Sequence, residues 1–334
     1  MSTVRDIAQR ANVSIATVSR VLNNTGNVNE SIRHAVIKAA DELNYPLHNL
    51  RIKPQISSSV LVLTRAEVNA IPAHGESQRE FERRVWDAVH SVLDVEGIAT
   101  RLQQSLEETE EARTYAADVS INGLILLGGI IRTEFAAELI RLKVPFVIAG
   151  SRIEGLAVNS VMVDVAQGIR AAAAHLIAKG HRHIGLVNGP HTTMTSLEKL
   201  QGLRLTLAEH DLPFDPQTVV TADFHPDSGY TQTRSLLERA PHLDAILYAD
   251  DSIALGGLRA LREMERAVPD EIAIVGFGDY ELSQYTNPML STVQFDMNLI
   301  GRMAAGRLSM LLDKRDDDAW LMRVPCTFVE RQSS

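Results

Sequence analysis

Three spacings of apolar residues follow one another along the chain. In the first 45 residues, Val4, Ile7, Ala8 and Ala11 share one helical face, and Val18, Val21 and Leu22 share another. Asn12-Val13-Ser14 interrupts the period between them, and a third helix over 30–44 is expected to turn Ile32, Ala35, Val36, Ala39, Ala40 and Leu43 inward. Residues 46–58 hold Pro46 and Pro54, keep no period and read as a linker. From Val60 onward, short apolar runs alternate with amphipathic segments. Strands are expected at 59–63, 99–103, 123–127, 146–149, 160–163, 183–187, 219–222, 245–248, 272–276, 290–293 and 325–329. Helices are expected at 80–94, 110–119, 133–142, 166–178, 197–209, 226–239, 251–265 and 299–312. Runs buried on both faces and joined by helical crossovers mean parallel α/β structure. There are too many units for one sheet of usual width. Two lobes with a cleft at the carboxyl ends of their strands are the natural solution.

The chemistry of the first segment narrows its role. Thr3 caps the first helix, with Asp6 at capping-box spacing, and Ser14 caps the second. Ala8 lets the two helices cross closely. Outside the core this leaves Ile15, Ala16, Thr17, Ser19 and Arg20, at the position from which a recognition helix reaches base edges in the major groove. The segment therefore reads as a helix-turn-helix, with a plain three-helix bundle as the alternative. Ile15, Ala16 and Arg20 are assigned to sequence choice, and Thr17, Ser19, Asn29 and Arg33 to phosphate contacts. Thr3, Arg5, Ser14, Asn23 and Leu50 complete the expected DNA-binding set.

Composition changes this picture in one respect. The whole chain carries −9, whereas residues 1–53 hold seven basic residues against four acidic ones, a balance of +3 that leaves −12 on the remainder. A mildly basic head on an acidic body concentrates DNA affinity in the head. At 334 residues and 45% hydrophobic content, two or three globular domains are expected. No apolar run is long enough to span a bilayer, and the polar start predicts no signal peptide. Cys326 is the single cysteine, which fits a reducing cytoplasm. His181 and His183 lack a third ligand at metal spacing and read as a lead-in to a strand. No G-x-G-x-x-G, P-loop or G-x-S-x-G occurs at a strand end, so no cofactor, metal or catalytic residue is expected.

The runs "TVRDIAQRANVSIATVSRVLNN" and "VNESIRHAVIKAADELNY" closely resemble the headpiece of the lactose-repressor (LacI/GalR) family of bacterial transcription regulators. "VPFVIAG", "KGHRHIGLVNGP", "DAILYADDSIALGGLRALRE" and "VPDEIAIVGFGDYELSQYTNPMLSTVQ" resemble that family's regulatory core, which is similar to periplasmic sugar-binding proteins. The resemblance covers essentially the whole chain and is weakest over 63–82. It implies an all-α headpiece (1–45), a hinge (46–58) and an α/β core (59–334) of two doubly wound parallel-sheet lobes. The N-lobe would hold 59–158 and 291–318, the C-lobe 159–290 and 319–331, with crossings near Gly155, Ser291 and Trp320. It also implies a repressor of a sugar or carbon-source operon. Such a protein binds a pseudo-palindromic operator as a homodimer or tetramer, under control of a sugar or sugar derivative in the cleft.

The same resemblance supplies effector-binding candidates. Phe224 resembles the family's sugar-stacking aromatic, with ordinary loop packing as the alternative. Lys199 stands where many relatives carry Arg; it keeps the charge, loses the planar fork and adds a slight bias toward an anionic ligand. Asp250 stands where an Asn or Asp takes ligand hydroxyls, and Asp251 is expected to cap the following helix. Relatives often have Asp two residues after the glycine of "VGF"; here Gly278 stands there and Asp279 follows, either as ligand contact or turn residue. Thr64, Arg65, Phe81 and Met297 are candidates for the opposite wall, and Arg152 for reaching the cleft or bridging the lobes. The hinge departs from the family pattern. Pro54 occupies the position of the minor-groove leucine, so Leu50, Ile52 or a proline would act as the wedge, or the hinge would bind without one. A solute receptor and a sugar-processing enzyme are the competing readings; operator binding excludes the first and sugar turnover would revive the second.

Overall fold

Val4–Arg10 (α1), Ile15–Leu22 (α2) and Glu30–Glu42 (α3) form the helices of the N-terminal unit. The computed structural model describes residues 3–22, 28–43, 45, 59–65, 76–128, 130–315 and 318–334. The expected contributions of Asn23, Leu50, Ile52 and Pro54 lie outside the described residues. Thr3 and Asp6 form a complete capping box at the start of α1. Asn12 takes a left-handed conformation (φ 54°) in the turn, one that Asn tolerates better than most residues. Ser14 Oγ then accepts the Thr17 N–H at 3.0 Å and caps α2. Ile7, Ala8, Val18, Val21, Leu22, Val36, Ala39 and Ala40 make the core. Ile32 and Ala35 were expected inward but are exposed. The apolar stripe of α3 is packed only through 36, 39, 40 and 43, so the helix's first turn extends beyond the core.

Residues 57–334 form the second compact unit. Its first sheet holds Ser59–Arg65 (β1), Ala99–Ser105 (β2), Ile121–Leu127 (β3), Phe146–Ala149 (β4), Ser160–Val163 (β5) and Leu321–Val324 (β11). Their order is β11-β5-β4-β3-β1-β2, and every pairing is parallel. The second sheet holds Ile184–Asn188 (β6), Val219–Thr221 (β7), Ala245–Tyr248 (β8) and Ala273–Val275 (β9), in the order β7-β6-β8-β9, also parallel. Helices Glu76–Val95 (α4), Thr109–Ala117 (α5), Thr133–Arg141 (α6) and Met297–Leu312 (α11) belong to the first lobe. Val165–Ala178 (α7), Met194–Glu209 (α8), Pro226–Arg239 (α9) and Asp251–Glu263 (α10) belong to the second. Among the described residues no helix is long and apolar enough to cross a membrane.

Three chain crossings join the lobes. The chain leaves the first sheet after β5, returns along Thr292–Phe295 (β10) into α11, and leaves again after β11 into Cys326–Val329 (β12). β10 and β12 pair antiparallel, with Phe295 opposite Cys326 and Thr292 opposite Val329. Two of the expected boundaries therefore move. β5 and β11 were assigned to the C-lobe but complete the first sheet, so the crossings fall after Val163 and Val324 instead of near Gly155 and Trp320. Strand β11 was not anticipated: it is four residues long, and its apolar residues Leu321, Met322 and Val324 run directly into Pro325 and the next strand, so nothing in the spacing separates the two. Gly168 lets α7 pass the crossings closely; a Cβ there would lie 2.7 Å from Val293 Cγ1 and 3.1 Å from Cys326 Cβ.

Candidate nucleic-acid interface and ligand cleft

The exposed side of α2 is the candidate reading surface of the headpiece. Ile15, Ala16, Ser19 and Arg20 are exposed, and 49% exposure of an isoleucine at a helix start is notable because its neighbours Val18, Val21 and Leu22 are buried. Exposed apolar groups at this position can meet thymine methyls, and Arg20 can reach a guanine edge. Thr17 is half-buried, and its hydroxyl lies 2.8 Å from Ser14 Oγ. Both hydroxyls thus take part in the helix cap. Thr3 is likewise engaged, donating to Asp6 Oδ2 at 2.8 Å. Arg5 and Asn29 are exposed and Arg33 is half-buried. Arg10 pairs with Glu42 at 2.6 Å and ties α1 to α3.

In the core, a cavity of about 300 Å³ opens between the lobes. It lies at the carboxyl ends of the strands in both sheets: Arg65 ends β1, Leu127 ends β3 and Gly150 follows β4, while Phe224, Asp250 and Phe277 follow β7, β8 and β9. Helix α4 contributes Gln78, Phe81 and Glu82, and α8 contributes Thr195 and Lys199. Bare backbone sets the two principal rings. Phe224 covers Gly189, where a Cβ would come within 2.8 Å of the ring, and Phe81 covers Gly150 at 2.9 Å. Gly150 has φ 106°, open to glycine at little cost.

Buried charge dominates the second-lobe wall. Lys199 Nζ donates to Ala249 O at 2.6 Å and stands 4.1 Å from the Phe277 ring centroid, a cation–π distance. Burial lowers its pKa to about 8, against the opposing pull of Asp250. Asp250 accepts the Ser252 N–H at 2.7 Å and caps α10, and burial raises its carboxyl to about 6. Asp251 was expected to be that cap. It is instead the first helical residue, turned into the lobe, where it accepts from Thr292 Oγ1 at 2.6 Å and Tyr280 N at 3.0 Å. Burial raises its carboxyl to about 7.

Of the residues expected in the cleft, the structure brings together Phe81, Lys199, Phe224 and Asp250, with Arg65 beside them. Thr64, Asp279 and Met297 do not line the cavity. Thr64 is buried one residue before Arg65, and strand alternation turns the two side chains to opposite faces. Asp279 is held by Arg331 at 2.5 Å and by Gln294 Nε2 at 2.7 Å, inside its own lobe. Met297 follows the cap Asp296 and packs into the core, leaving Phe295 at the wall. Sequence reasoning missed Gln78, Glu82, Thr195, Phe277, Tyr280 and Phe295. The available signal was position, since Phe277 and Phe295 sit at strand carboxyl ends. Outside the cleft, His181 and His183 both face Asp244, at 3.5 and 3.3 Å. No group of His, Cys, Asp and Glu among the described residues is arranged to hold a metal ion.

Residues 3–46 match the model of bacterial regulatory proteins of the lacI family, and residues 173–334 match a periplasmic binding protein-like domain. The chain is 30% identical to the ribose operon repressor of Halalkalibacterium halodurans, over 100% of this chain and 97% of that protein. It superposes on a CelR–cellobiose complex with a TM-score of 0.74 and 28% identity, covering 100% of each chain. It superposes on a lac repressor dimer bound to operator and the anti-inducer ONPF with a TM-score of 0.72 and 26% identity, covering 99% of this chain and 98% of that one. With a helix-turn-helix at one end and a two-lobed ligand core behind it, the chain belongs to the lacI family of bacterial regulatory proteins.

Proposed function

We propose that this protein represses an operon for the use of a neutral sugar and binds a pseudo-palindromic operator as a homodimer in the cytoplasm. One headpiece covers only a few base pairs, so two half-sites about one helical turn apart supply affinity. The effector-binding residues are Phe81, Lys199, Phe224 and Asp250, and no catalytic step is assigned to them. The observation that carries the effector reading is the make-up of the cavity, where aromatic rings from both lobes face a wall of hydrogen-bonding groups. A sugar ring presents that pair of surfaces, an apolar C–H face and a rim of hydroxyls.

Charge balance favours a neutral ligand over the anion that Lys199 first suggests. The ammonium already has the Ala249 carbonyl and lies beside Asp250, and Glu82 lines the other wall. With Arg65, two cations and two carboxylates line the cavity among the described residues, so an anion finds no excess positive charge from them. The relatives point the same way: one is a ribose operon repressor and another was solved with cellobiose. A thermal-shift screen of the full chain against sugars, sugar acids and sugar phosphates tests the reading. A neutral sugar at about 100 times its Kd adds about 2.7 kcal/mol to stability and should raise the Tm. A rise with phosphorylated or acidic sugars alone would overturn the charge argument, and no rise with any of them would overturn the effector reading.

A further inference from the structure

The lobes are also joined by charge, on α8 one residue before Lys199. Glu198 belongs to the second lobe, and its side chain is 14% exposed. Arg323 of β11, in the first sheet, donates to both of its carboxylate oxygens at 2.9 Å each, the two-point geometry of a guanidinium and a carboxylate. Arg152, which follows β4 in the same sheet, brings Nε to 3.5 Å from Glu198 Oε1, and that buried Nε makes no hydrogen bond. Arg323 also lies 3.7 Å from Asp164, the residue that caps α7 just beyond the first crossing. Two arginines from one lobe thus converge on one glutamate of the other, beside the chain crossings and next to a cavity-lining lysine.

We propose that Glu198, Arg323 and Arg152 form an inter-lobe clasp that holds the cleft together before an effector arrives and thereby sets sensitivity to it. The reasoning is geometric. A bidentate pair tolerates little displacement, so a rotation that parts α8 from β11 breaks both hydrogen bonds together. It also strips Arg152 of the carboxylate it faces, while Arg323 keeps only the more distant Asp164. The clasp therefore biases the ligand-free lobe angle, and the population of the binding-competent arrangement scales the apparent affinity. Only this last step rests on the effector reading of the cleft. Glu198 is a positioning residue: it does not line the cavity.

The test measures lobe separation directly in the full-length chain. Spin labels at exposed Glu134→Cys on α6 and Glu238→Cys on α9 report the inter-lobe distance, with labelled protomers diluted into unlabelled ones. Glu198→Gln and Arg323→Gln should each lengthen or broaden the ligand-free distribution, and the double variant should go no further than the larger single change. Wild type at about 1 M salt, where a partly exposed pair is screened, should move in the same direction and decides the matter should the variants not fold. Distributions superimposable on wild type, or additive effects of the two substitutions, would overturn the clasp. A separate titration with D-ribose and cellobiose should show an apparent Kd raised by at least about fivefold in Glu198→Gln, within the usual range of such couplings. Failure of every sugar to bind wild type defeats the effector reading, while the ligand-free distances still judge the clasp.

Discussion

Arg20 and Asp250 put charge to opposite uses. The headpiece keeps its candidate DNA-contacting groups in water: Ile15, Ala16, Ser19 and Arg20 are exposed. The second-lobe wall of the cleft buries its charges: Lys199 and Asp250 are 6% and 8% exposed, and the neighbouring Asp251 is 1% exposed. An exposed reading surface can change without threatening its fold, since surface substitutions away from special features stay within about 0.5 kcal/mol. A preorganised buried site is tied to the packing and protonation of the lobe that holds it.

The largest contrast should appear on adding one methyl group to each region. Gly256 of α10 faces α9, and a Cβ there would lie 1.8 Å from Pro226 O and 2.6 Å from Tyr230 N. Neither backbone atom can step aside without parting the helices, so Gly256→Ala should cost the core about 3 kcal/mol or more. Ala16→Val on the exposed face should change unfolding free energy by less than about 0.5 kcal/mol while altering operator preference. Chemical denaturation of both variants checks the pair; equal costs would erase the distinction.

Next in size is Arg20→Ala, expected to cost on the order of 1–3 kcal/mol of operator binding and to relax preference at one base position. Binding to a panel of operator variants decides it. Uniform weakening across the panel would make Arg20 a phosphate contact. Salt dependence should fall with Arg33→Ala by about one unit of slope, the signature of a lost phosphate contact.

A smaller contrast concerns pH, and the two regions should differ in sign. Asp250 and Asp251 have carboxyls raised from 3.8 to about 6 and about 7 by burial. The folded core holds those protons more tightly than the unfolded chain. Their stabilisation is complete below pH 3.8 and is lost as pH rises through about 6 and about 7. Asp6 in the headpiece is held below 3.8 by its hydrogen bonds from Thr3, so its contribution is present above that value and lost on acidification. Lys199, lowered to about 8, adds stability only as pH climbs from there toward 10.5. Thermal melts from pH 4 to 8 should therefore show a flatter decline for Asp251→Asn than for wild type. Parallel curves would mean that Asp251 is not the titrating group.

The same division explains what could be read from sequence. The headpiece is local: its caps, core and exposed face all follow from spacings within 45 residues, and the error at Ile32 and Ala35 is one of how far the core extends along α3. The cleft is assembled from segments more than two hundred positions apart. The family resemblance located Lys199, Phe224 and Asp250, the last two also by their places after strand ends. Neither could separate Thr64 from Arg65, or Met297 from Phe295, because one or two residues along a strand and its cap decide which side chain reaches the cavity. Asp279 looked like a ligand contact because its partner Arg331 lies 52 residues away, across a fold that spacing does not reveal.

In this protein the headpiece alone is expected to read DNA, with the cleft only modulating it. Operator titrations of wild type and Phe224→Ala, with and without the sugar selected by thermal shift, test this most directly. Phe224 packs over Gly189 at the cavity and has no part in the headpiece. The variant should bind operator within about twofold of wild type when ligand-free, as expected for independent sites, and should lose the sugar-induced change. A variant that responds to sugar like wild type, or that loses operator affinity without sugar, would contradict the account.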